Sequence, residues 1–145
     1  MRFSLRQFLL LFPAYILSMF IATIHNNSVR VSYRWHNESN RVRQVEIAVR
    51  RYDSDNTRQL LPVEILNRWF AGETIPAEFA EIDEYYDGMS PDHWGYALRA
   101  VRDMELPDRE LVPIGVYSLG EDGVSASNGN DPVDINSWDA HHTEY

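Results

Sequence analysis

The sequence predicts an α+β chain: an N-terminal transmembrane helix, then a small domain of short helices and a small antiparallel sheet, then a long C-terminal loop. Three observations carry this expectation. Gln7 to Val29 contain no charge and include an apolar run from Phe8 to Ile24. Two short helical segments follow, each opened by Pro and closed by Gly. Beyond Gly88 the helical period gives way to strand-like runs, and then to a stretch of Gly, Asn, Asp and Ser with no period.

A membrane-spanning helix needs about 20 apolar residues, with roughly 17 as the lower limit. Arg2 and Arg6 precede the apolar run, so the positive-inside rule places the N-terminus in the cytoplasm and the rest of the chain outside. The expected location is therefore the inner membrane, single-pass, with a periplasmic or extracytoplasmic domain. Pro13 is compatible with such a helix and suggests a kink. A cleaved signal peptide is the competing reading, but Ala22-Thr23-Ile24 is a poor cleavage site.

Val29, Val31, Tyr33 and Trp35 alternate with Arg30, Ser32 and Arg34, which reads as a strand, with continuation of the first helix as the alternative. Asn40 to Arg51 is acceptable as a helix, and Asp53 to Asn56 form a turn cluster. Pro62 to Phe70 and Pro76 to Tyr86 read as short helices, the second with Phe79, Ile82 and Tyr86 on one face and Gly88 as its stop. Tyr96 to Val101 and Val112 to Ser118 are the strand candidates, joined by a connection through Pro107, and Pro113 suggests a strand edge or start. The expected divisions are 1–28 for the stub and anchor, 29–91 for the membrane-proximal region, 92–138 for the sheet and loop, and 139–145 for a disordered tail.

Composition excludes several classes of function. There is no cysteine among the 145 residues, hence no disulfide, thiolate zinc site or cysteine nucleophile. Net charge is −9, divided as +5 over residues 1–72 and −14 over residues 73–145, and every basic residue is Arg. The acidic half argues against a nucleic-acid partner. No nucleophile elbow, phosphate loop or His-Glu-x-x-His motif occurs. Asp92 beside His93 is a possible catalytic pair. His141-His142 with Asp139 and Glu144 is a possible zinc site, though a frayed tail reads more simply. Glu81, Asp83, Glu84 and Asp87 read as a solvated helix face, and Trp69, Tyr85 and Tyr86 as core or rim packing.

The most unusual stretch is Leu119 to Trp138, where Glu121, Asp122, Asp131 and Asp134 are separated by Ser, Asn and Gly. Calcium takes six to eight oxygen ligands from carboxylates, carbonyls and amides. A Gly-containing acidic loop supplies them, and a bound ion offsets the entropy of closing it. Ile135 and Trp138 then read as plugs that pin the loop to the core. The loop lacks EF-hand spacing, and the competing reading is a solvated acidic loop.

Val116-Tyr117-Ser118-Leu119-Gly120-Glu121-Asp122-Gly123, followed by Asp134-Ile135-Asn136-Ser137-Trp138, resembles the C-terminal signature of the major pseudopilin of type II secretion systems. Upstream, Asp92-His93-Trp94-Gly95-Tyr96 resembles the turn before a strand in that family, with His93 in place of Pro, and Arg51 to Asn56 resembles the end of the family's long helix. The clear resemblance covers Asp92 to Trp138. It implies a structural calcium ion held by the backbone carbonyl of Leu119 and the side chains of Asp122 and Asp134, with Ser127 and Asp131 as further ligands. The chain departs from the family at Arg2-Phe3-Ser4-Leu5-Arg6, which carries neither the Gly of the processing site nor the Glu that aids subunit assembly. A free-standing relative fits this departure.

These readings combine into one expectation: a non-enzymatic, membrane-anchored, exported protein with a structural or interaction role and a calcium-stabilised loop. Its partners would be the membrane and secretion components or other copies of itself. The alternative is a membrane-anchored binding module for an envelope ligand, with the acidic half as its surface.

Overall fold

A computed structural model describes residues 5–56, 59–86, 90–106 and 111–138. The expected disordered tail, the His141-His142 pair, Asp87, the Gly88 helix stop and the Pro107 connection lie outside the described residues. The chain divides into two compact units, the first ending at Arg34 and the second starting at Trp35.

Helix α1 runs from Leu5 to Asp55. Among the described residues no helix is long and apolar enough to cross a membrane. The expected transmembrane helix is therefore corrected, and with it the single-pass placement in the inner membrane. The described apolar stretch of α1 runs into His25-Asn26-Asn27-Ser28, and Arg30 and Arg34 follow within the same helix.

The strand expected at Val29 to Trp35 is also corrected, since these residues belong to α1. Val29, Val31 and Tyr33 are all exposed. With no buried face to cover, the period-2 pattern has no sheet to join, and the helix satisfies its own backbone groups.

In the second unit α1 buries one stripe. Glu38, Val42, Val45, Val49 and Tyr52 alternate at spacings of four and three and are all buried. Helix α2, Val63–Phe70, starts after Pro62 and buries Leu66, Trp69 and Phe70. The next element, Ala77–Glu84, is a 3-10 helix rather than an α-helix. Phe79 and Ile82 are buried three residues apart, with Tyr85 half-buried three further on, as a period of three requires. Tyr86 is half-buried outside this row.

The sheet has three antiparallel strands in the order β1 (Arg99–Glu105), β2 (Leu111–Ser118), β3 (Ile135–Asn136). Strand β1 starts later than its pattern suggested, because Tyr96 is held in a turn in which its carbonyl accepts from the Asp92 N–H at 2.6 Å. Pro113 lies within β2, where only β1 is alongside, because β3 pairs with Tyr117 and Ser118 alone. Leu98, Ala100, Ile114, Val116 and Ile135 join the stripe of α1 and the apolar residues of α2 in one core.

One ion pair is tied into this core. Arg102 on β1 pairs with Asp53 near the end of α1, and its Nε donates to the carbonyl of Leu61 at 2.9 Å. The other oxygen of Asp53 accepts from the Leu61 N–H at 3.2 Å. Both side chains are largely buried, so removing the acid leaves a cation without its partner. Asp53→Ala is expected to lower unfolding free energy by on the order of 3 kcal/mol, read as a shift of the urea midpoint. An unchanged midpoint would show that the pair holds nothing together.

Candidate functional site

The two stretches that carry the resemblance are far apart in sequence and hydrogen-bonded in space. Asp92 is buried. Its Oδ1 accepts from the N–H groups of Trp94 at 3.0 Å and Tyr96 at 2.7 Å, which closes the Asp92–Tyr96 turn. Its Oδ2 accepts from the Ser118 hydroxyl at 2.7 Å, and the Ser118 oxygen accepts from the Gly120 N–H at 3.2 Å. One carboxylate thus joins the turn before β1 to the turn after β2. Gly120 has φ of +65°, and a methyl group there would run into the carbonyl of Val133, across the loop. Only glycine meets both conditions.

This geometry leaves Asp92 no role beside His93. Three donors occupy the carboxylate, and the exposed His93 ring packs edge-on to Trp94 with centroids 5.8 Å apart. The His93 backbone N–H donates to Glu38 Oε2 at 3.2 Å. Arg41, paired with Glu38 at 3.4 Å, donates to the carbonyls of Ser90 and Pro91. Burial pushes the Glu38 carboxyl above its ordinary value, against the opposing pull of Arg41. Sequence reasoning missed this clamp. The signal was a carboxylate standing in the same spacing as Val42, Val45, Val49 and Tyr52.

The loop from Leu119 to Trp138 folds back onto the sheet. Trp138 packs on Gly115 of β2 so closely that a methyl group there would collide with its ring. It also meets Tyr117 edge-on at 6.2 Å and donates from Nε1 to Asn130 Oδ1 at 3.1 Å. Ile135 is fully buried in the core. Strand β3 and its neighbour complete the closure: Ser137 N–H donates to the Val116 carbonyl, the Ser137 hydroxyl accepts from the Val116 N–H, and Asn136 Nδ2 donates to the Gly129 carbonyl at 2.7 Å.

Inside this closure the five expected ligands differ in setting. Asp134 is fully buried. Its Oδ2 accepts from the Ser125 hydroxyl at 2.6 Å and the Asp131 N–H at 3.1 Å, while its Oδ1 is buried with no hydrogen-bond partner. Burial pushes its carboxyl above the ordinary aspartate value, and the charges of Asp131 and Asp122 add to the rise. Asp131 accepts from the Ser127 hydroxyl at 2.7 Å and the Ala126 N–H at 2.5 Å, and these two bonds hold its carboxyl below the ordinary value. Asp122 is exposed and accepts from the Val124 N–H at 3.1 Å. Leu119 is half-buried between Ser118 and Gly120.

The structure therefore brings Asp131 and Asp122 within electrostatic reach of Asp134 and turns the Ser127 hydroxyl toward Asp131. Among the described residues no group of three His, Cys, Asp or Glu side chains is arranged to hold a metal ion. The donor set still suits a hard cation at one point. A buried aspartate oxygen without a donor is a place where a cation can replace missing hydrogen bonds. Ser125, which holds the other oxygen of Asp134, was not singled out from the sequence, because nothing distinguishes it there from Ser127.

A groove of about 660 Å³ lies beside β1, lined by Val63 and Asn67 of α2, Arg99 and Val101 of β1, Tyr117 and Asn128. Asn67 Oδ1 accepts from the outward N–H of Ala100 at 2.9 Å and so covers part of this sheet edge.

The turn geometry generates a test. Gly120→Ala is expected to destabilise the protein by about 2 kcal/mol or more, because it forces the Val133 side of the loop away from the sheet. Thermal unfolding followed by near-ultraviolet circular dichroism of Trp138 and Tyr117 reports this. Unchanged unfolding and an unchanged aromatic signal would show that the two turns do not meet. No family model, no curated protein and no solved structure matches the chain. The resemblance to the major pseudopilins thus rests on the motif residues alone.

Proposed function

We propose that this chain is a non-enzymatic structural subunit, similar to the major pseudopilin of type II secretion, that associates with copies of itself and carries a calcium-stabilised C-terminal loop. The observation that carries the reading is the unpartnered Oδ1 of Asp134, buried beneath the loop that Trp138 closes. Asp134 and Asp122 would hold the ion, with the Leu119 carbonyl beside them and Asp131 adding charge. The ion supplies only electrostatic stabilisation, and the residues do the positioning.

A long α1 supports the assembly part of the reading. Its large apolar side chains described from Tyr15 to Tyr33 are each at least half exposed. So large an apolar surface marks an interaction face. The end of α1 at Asp55 also agrees with the likeness of Arg51 to Asn56 to the end of the family's long helix.

A second reading, a binding module for a small anionic ligand, is favoured by the groove beside β1, where Arg99 has no carboxylate partner among the described residues. Saturable binding to a chain that remains monomeric, lost in Arg99→Ala, would select it.

The calcium reading fixes the sign of a pH effect. Asp134 has a raised value in the folded, metal-free protein, so the folded state holds its proton more tightly than the unfolded chain. Its contribution is complete below the ordinary aspartate value of about 4 and is lost as pH rises through the raised value. Calcium restores it by replacing the proton. In chelator, Asp134→Asn is therefore expected to melt at or above the wild-type temperature at neutral pH. In millimolar calcium the wild type rises by several degrees, whereas Asp134→Asn does not move and Asp122→Ala moves little. Identical wild-type melting in calcium and in chelator would overturn the reading.

A further inference from the structure

The second unit carries two exposed charged stripes of opposite sign. On α1, Arg43, Ile47 and Arg51 follow one another at intervals of four and so share a face. All three are exposed, with Ile47 at 43 %, and neither arginine has a carboxylate partner among the described residues. On the 3-10 helix, Glu78, Glu81 and Glu84 recur every three residues, which eclipses them into a single ridge. All three are exposed, and none has a cationic partner among the described residues. Exposed Ala77 and Ala80 form the adjoining small apolar ridge.

The spacings match. Arg43 and Arg51 are eight α-helical residues apart, about 12 Å along the axis. Glu78 and Glu84 are six 3-10 residues apart, also about 12 Å. Laid side by side, two guanidinium groups meet two carboxylates while Ile47 falls against Ala77 and Ala80. That arrangement puts an apolar contact at the centre and charge pairs at the rim.

We propose that the Arg43–Ile47–Arg51 face of α1 docks on the Glu78–Glu81–Glu84 ridge of a second copy of this chain. The proposal rests on the self-association reading and names the surfaces that associate. The two stripes are different surfaces, so the contact is heterologous. Each bound copy leaves one stripe free, and the contact propagates into an open assembly unless rotation closes it. The complementarity is electrostatic and sets orientation and register as much as affinity.

The full chain has no cysteine, which makes cross-linking specific. Ile47→Cys and Ala80→Cys are prepared separately, mixed and oxidised. The expected product is the mixed disulfide dimer, in excess over dimers from either preparation alone and suppressed at high salt. Alongside, the pair Arg43→Glu and Arg51→Glu in one chain is expected to weaken self-association by more than about tenfold, measured by sedimentation. The pair Glu78→Arg and Glu84→Arg should do the same, and a chain carrying all four substitutions should associate as the wild type does. Wild-type association without the mixed disulfide, or without rescue in the fourfold variant, would overturn this interface and leave the assembly reading standing. A wild-type chain that stays monomeric at all concentrations would overturn both.

Discussion

Asp134 is fully buried beneath the C-terminal loop, and only one of its two oxygens receives hydrogen bonds. A charged carboxylate in that position costs free energy unless a proton or a cation neutralises it. Its neighbours cannot neutralise it, because Asp131 and Asp122 carry the same sign. The loop closes over this group through contacts unrelated to charge: Trp138 against Gly115 and Tyr117, Ile135 in the core, and the short pairing of β3. Packing therefore forces the carboxylate into a setting that its own electrostatics oppose. That opposition is what the proposed calcium ion would relieve.

Much of the frame around this site was legible in the sequence. Proline starts and a glycine stop located α2, and the apolar run from Val112 to Ser118 located β2. The placement of Ile135 and Trp138 as plugs also holds. What failed did so for definite reasons. Strand β3 is two residues long and exists only through pairing with Tyr117 and Ser118, so it leaves no periodic trace. The strand expected at Val29 to Trp35 had a pattern but no sheet. The apolar run before it suggested a membrane helix by composition, but among the described residues no helix is long and apolar enough to cross a membrane. The hydrogen-bonded line from Asp92 through Ser118 to Gly120 joins segments more than twenty residues apart, which no local pattern reports.

Three other carboxylates, at Asp92, Glu38 and Asp53, show how position changes the role of one chemical group. Asp92 receives three hydrogen bonds and organises turns. Glu38 is shared between Arg41 and a backbone N–H and fastens α1 to the turn at Pro91 and His93. Asp53, facing Arg102, does the same at the other end of this part of α1. Each is satisfied by protein donors. Among the described residues Asp134 alone is left half satisfied, which separates a structural acid from a candidate ligand. The segregation of charge along the chain, basic in the first half and acidic in the second, gives the same unit both stripes that the proposed contact between copies would use.

Isothermal titration of calcium into the full chain tests the central claim most directly. The account predicts one ion bound per chain in the wild type, with binding abolished in Asp134→Asn at unchanged fold. Wild-type heats no larger than those of Asp134→Asn, or full binding retained by that variant, would contradict it.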